Sequence, residues 1–96
     1  EALRKIYQTN SGECFEAVLT IARESGHTIF LQDRRKRRIV LMGVKGNVDT
    51  TEVGIFLEES PGPQTTVDIA SLSTTAKEKV AGVIFKKLDH RFKSLN

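Results

Sequence analysis

Apolar and polar positions along the chain change period twice, from a short strand to a helix and from a run of strands to a second helix. Leu3 to Thr9 reads as a short, charge-rich strand. Beyond it, Cys14, Phe15, Val18, Leu19, Ile21 and Ala22 recur at helical spacing and form one apolar stripe. Asn10, with Glu13 three residues later, has the spacing of a capping box, and Gly26 supplies the stop, so a helix is predicted between them. His27 to Asp33, Arg37 to Val44, Thr50 to Glu58 and Gln64 to Ser71 read as four strands, each rich in β-branched or aromatic residues and bounded by charge, Gly or Pro. Ser60-Pro61-Gly62-Pro63 is the clearest turn, followed by Lys45 to Asp49 with Gly46 and Asn47. A second helix is predicted from about Ala76 to Lys93, with Thr75 and Glu78 as its capping box and Ala76, Val80, Val83, Ile84, Leu88 and Phe92 facing inward.

The order β-α-β-β-β-β-α predicts an α+β fold. Four to five strands form an antiparallel meander, and both helices pack on one of its faces. A chain of 96 residues makes one domain, 1–96, and should bury roughly 65% of the surface its unfolded form exposes. Pairing Asp33 with Arg38 at the tip of the first hairpin would set Ile29 opposite Met42 and Leu31 opposite Val40, all on one face. Val53, Ile55, Leu57, Val67 and Ile69 would join them, and with the helix stripes they make the expected core. The opposite face is polar along the last strand, with Thr66 and Asp68. Elsewhere the same register places Phe30, Ile39, Leu41 and Phe56 outside as one apolar patch. Grouped aromatics and aliphatics mark a contact surface, so these four are the expected docking surface for a protein partner or a second copy of the chain.

Hydrophobic residues make up 39% and charged residues 28%, a mixture that folds rather than staying disordered. The net charge is +3, and the 12 acidic residues are spread among the 15 basic ones, so the average field is weak. Arg34, Arg35, Lys36, Arg37 and Arg38 break that pattern as an unbroken basic run. The plain reading is a solvated hairpin tip; the functional one is a contact for an anionic polymer, whether nucleic acid or an anionic membrane surface. Single-strand readers need aromatic platforms beside the charge, and Phe30 is the only near candidate; duplex readers need a basic helix or arm, which neither helix supplies. Both points weigh against nucleic acid.

Candidate chemistry is sparse. The single cysteine, Cys14, excludes an internal disulfide and a cysteine-based zinc site. Its first-turn position would favour the thiolate, whereas its place in the apolar stripe makes it a core thiol. His27 and His90 have no third ligand at metal spacing. Glu58, Glu59 and Asp68 are the only close carboxylates, and they flank a turn. There is no G-x-S-x-G, P-loop, G-x-G-x-x-G or H-E-x-x-H motif. The expectation is a non-enzyme without catalytic residues, cofactor or metal. No apolar run approaches the roughly 20 residues of a membrane span. The sequence opens directly on a predicted element, so the expectation is a chain trimmed of a signal or lipid-anchored leader.

The order of helix, four-stranded meander and long C-terminal helix is similar to the helix-grip arrangement. The phrase from Cys14 to Arg38, CFEAVLTIARESGHTIFLQDRRKRR, resembles the opening of small bacterial envelope lipoprotein domains in its Glu24-Ser25-Gly26 helix end and its Gln32-Asp33 turn. Those domains include uncharacterised periplasmic lipoproteins and the helix-grip domains of the lipoprotein subunit of the outer-membrane β-barrel assembly machine. The resemblance implies a periplasmic or outer-membrane-anchored module, tethered through a leader missing from this sequence, that works by protein contact rather than chemistry. It carries over no functional residues and leaves a cytoplasmic setting open.

Overall fold

The chain folds in the order β1 (Leu3–Tyr7), α1 (Ser11–Glu24), β2 (Thr28–Asp33), β3 (Arg38–Met42), β4 (Val53–Ser60), β5 (Gln64–Ala70), α2 (Thr74–Arg91). This is the expected α+β order. The computed structural model describes residues 1–48 and 50–96, so Asp49, the end of the turn expected over Lys45 to Asp49, lies outside the described residues. One antiparallel sheet runs β1-β5-β4-β3-β2, with β2 to β5 as the meander and β1 added beside β5. The C-terminal tail covers the outer edge of β1: Gln8 N–H donates to the Lys93 carbonyl and Leu95 N–H to that of Ile6. β2 is the other edge.

Local chemistry starts each helix. The Asn10 side chain accepts the Glu13 N–H at 2.7 Å, the capping half of the expected box, while the Glu13 carboxylate is bonded at 3.0 Å by the Asn10 side-chain amide rather than by its backbone N–H. Gly26, at φ +79°, turns the chain out of α1. α2 starts earlier than expected. Its cap is Ser73, which accepts the Ala76 N–H, and the Thr75–Glu78 box does not form. Three consecutive hydroxyl residues offer the same cap chemistry, and the path out of β5 selects among them. Ser73 N–H is held by Ser71 Oγ, and Ser71 in turn donates to the Glu52 carbonyl.

Burial alternates along β3, β4 and β5 and assigns the faces. Ile39, Leu41, Val53, Ile55, Leu57, Val67 and Ile69 are buried in one cluster with both helix stripes, and the residues between them are partly or fully exposed. This corrects the expected docking patch, because Ile39 and Leu41 are core residues at 0% exposure while Val40 and Met42 point outward. Two features produce the exchange. The ladder shifts between Ile29 and Leu31, so Leu31 pairs with Val40 but Ile29 pairs with Leu41 and Thr28 with Met42. Phe30 is the extra residue of this bulge, which lets Ile29 and Leu31 face opposite sides. Across the ten residues between β3 and β4, the register then sets Ile39 against Ile55 and Leu41 against Val53.

Candidate docking surface on the outer sheet face

Both helices occupy the inner face, so the outer face is bare. Directly opposed residues share a face, which builds the outer one in rows. Arg38, Phe56, Asp68 and Arg4 form one row, and Val40, Gly54 and Ala70 form the next. Arg4 pairs with Asp68 at 2.6 Å, closing the β1 side of the surface with a solvated ion pair. The β3–β4 side is apolar. Phe56, 43% exposed, lies over Gly54: a Cβ at residue 54 would come within 2.9 Å of the Phe56 ring, so only glycine lets the ring lie flat there.

These rows floor a trough. Val40, Gly54, Phe56 and Ala70 line its base, Arg38 stands at one end, and Glu52 stands with Leu72 at the other. Leu72 is fully exposed. The Nε of Arg38 is shielded from solvent yet has no hydrogen-bond partner among the described residues. Of the four residues expected on this surface, Phe56 takes its place and Phe30 is exposed at 64%, whereas Ile39 and Leu41 are replaced by Val40 and Arg38. A second depression, between α1 and α2, has Ile21 and Val83 as its floor and Lys86, Lys87, His90 and Arg91 on its rim. Its exposed lining is mostly apolar but smaller in extent than that of the trough.

The basic run does not act as one surface. Asp33 and Arg38 pair as expected, leaving a four-residue loop whose tip is braced by Lys36 N–H donating to Asp33 Oδ1. Arg34 turns back to α1, pairs with Glu16 at 2.7 Å and lies 5.7 Å from the centroid of the Phe15 ring. Arg37 lines a crevice at the start of α1 with Ser11 and Gly12, and Arg38 belongs to the outer face. Arg35 and Lys36 remain exposed at the tip.

The candidate chemical residues separate. Cys14 is buried in the α1 stripe, and loss of solvent pushes its thiol up to about 12. His27, whose pKa burial lowers, precedes β2, and His90 lies near the end of α2. Among the described residues no three metal-ligating side chains converge. Asp68 is committed to Arg4, and Glu59 accepts the Ser11 N–H at 2.6 Å, a bond that holds its carboxylate below the usual range.

Sequence reasoning missed a polar brace. Tyr7 is fully buried, and its hydroxyl donates to Asp89 Oδ1 at 2.8 Å, while Lys5 Nζ donates to both Asp89 oxygens at 2.9 and 2.8 Å. β1 is thereby tied to α2. Lys5 and Tyr7 two residues apart share a strand face, which was readable, but their partner 82 residues downstream was not. Val40 and Leu72 were also missed, since β3 is apolar on both faces and Leu72 lies between elements. No described helix is long and apolar enough to cross a membrane. No protein-family model matches the chain, and no curated protein matches it.

Proposed function

We propose that this domain is a non-catalytic docking module whose outer sheet face binds another protein chain. The observation that carries the reading is a sheet face with no helix on it, where Phe56 lies over Gly54 beside Val40 and Ala70 and a fully exposed Leu72 stands at the rim. Antiparallel sheets often leave one face to water, but that face is then polar. Here the β3–β4 half is not. Covering Leu72 alone would contribute about 2 kcal/mol before the costs of association. The alternative, an anionic polymer held by the hairpin, has less support because Arg34 is committed to Glu16 and Arg37 and Arg38 point to different sides. A periplasmic, envelope-associated setting belongs to the same reading and rests on the resemblance of the Cys14 to Arg38 phrase.

Photo-crosslinking in cells tests the docking. With benzoylphenylalanine at position 56, an adduct should form, be identified by mass spectrometry, and disappear when Val40→Asp is added; the same group at Glu78, on the exposed side of α2, should give none. Phe56→Ser should leave the melting temperature nearly unchanged. No adduct at position 56 above the Glu78 control would sink the reading, and so would a large loss of stability in Phe56→Ser, which would make the ring part of the core.

A further inference from the structure

Resting on that docking surface, we infer that its occupant is a second copy of this chain, packed face to face so that Arg38 of each copy meets Glu52 of the other. The trough is charged oppositely at its two ends. Arg38 lies opposite Phe56, and Glu52 is four residues back along the same strand line, which separates the charged ends by about 13 Å along the strands. The Val40–Gly54–Ala70 row lies midway between them.

A twofold axis lying between two such sheets and crossing the strands at that row exchanges the ends. Arg38 is then carried toward Glu52 of the second copy, and Leu72 at one end toward the Phe56 row at the other. Both the charge pairs and the apolar contacts therefore come in symmetric duplicate, as an isologous interface requires. The strand directions of the two copies stay close to the alignment usual for packed sheets. The contact also explains two features the monomer leaves open. The fully exposed Leu72 and the half-exposed Phe56 ring both gain cover.

Alternative occupants fit less well. A chain of one charge sign would satisfy one end and be repelled by the other, since Arg38 and Glu52 stand at opposite ends. Five strands at about 4.8 Å spacing give a face about 24 Å wide, which offers on the order of 500 Å² per copy. A standard interface uses about 800 Å² per partner, so the dimer belongs to the weak, concentration-dependent class.

Sedimentation equilibrium between roughly 10 μM and 1 mM, the range of weak complexes, reads the association directly. The mass should climb toward twice that of the chain as concentration rises. Arg38→Glu and Glu52→Arg should each weaken association at least tenfold while melting like the parent. An equimolar mixture of the two single variants should regain the dimer, because a copy with two acids at these positions meets a copy with two arginines; the double variant R38E/E52R should regain it alone. A parent that stays monomeric throughout overturns the self-association. If position 56 still crosslinks a different protein, docking survives with another occupant; if it crosslinks nothing, both readings fall. A dimer indifferent to the charge variants but lost on Phe30→Lys would place the contact at the β2 edge and overturn the geometry argued here.

Discussion

Tyr7 is the only tyrosine, and its environment makes it a reporter of folding. Burial, then the hydrogen bond to Asp89, then the carboxylate charge push its pKa well above the ordinary value of 10. A pKa raised by folding contributes stability that is present below the unfolded value and lost as pH climbs past it. Cys14, pushed up to about 12 from 9.0, acts in the same direction. The domain should therefore weaken from about pH 9 upward, and tyrosinate absorbance should appear together with the loss of helix rather than before it. Asp89 behaves oppositely. Its hydrogen bond from Lys5, with that from Tyr7, lowers its pKa from 3.8, so its contribution is present above that value and fades as pH falls through the lower folded one. Asp89→Asn should accordingly lower the melting temperature at neutral pH, and the difference should close in acid. Tyr7→Phe should cost about 1–3 kcal/mol and remove the tyrosine part of the alkaline loss. Tyrosinate appearing near pH 10 with helix intact would refute the buried brace.

At the scale of elements, the strand faces are the claim most open to direct test. β3 carries Ile39, Val40, Leu41 and Met42 in succession, so hydrophobicity alone cannot say which pair is core. The structure makes Leu41 core and Val40 surface. Leu41→Ala should cost about 2–5 kcal/mol, whereas Val40→Ala should cost about 1 kcal/mol or less. Chemical denaturation would measure both, and equal costs would mean the bulge at Phe30 is misplaced. Likewise Val53→Asp should unfold the domain while Glu52→Lys melts normally, since the two lie on opposite sides of one strand line.

At the scale of the molecule, charge is dispersed rather than focused. Five consecutive basic residues would predict a salt slope near −4 if all met phosphates, but the fold pairs Arg34 with Glu16 and sets Arg38 on the outer sheet face, leaving Arg35, Lys36 and Arg37 exposed on the loop. Oligonucleotide binding should be weak, with log K against log salt falling at a slope of about −3 or shallower. A slope near −4 would show that Arg34 and Arg38 abandon their present sites to reach a polyanion. Docking through the trough should depend less on salt, because burial of apolar surface is barely screened and only the Arg38–Glu52 pairs are exposed to ions.

The sequence by itself determined the element order, the α1 cap at Asn10 with Glu13, the Gly26 stop, both helix stripes and the inward faces of β4 and β5. Each of these rests on neighbours within a few residues, where period and cap chemistry act locally. Tertiary structure decided the rest. Which of Ser73, Thr74 and Thr75 caps α2 depends on where β5 releases the chain. Which alternation of β3 is buried depends on one inserted residue at Phe30 and on the register carried across the connection to β4. A shift of one residue inverts every side chain of a strand, and a strand apolar on both faces offers no local signal against it. That is why half of the expected patch proved to be core, while the trough that replaces it joins Arg38, Val40, Phe56 and Leu72 from separate segments whose proximity only strand pairing creates.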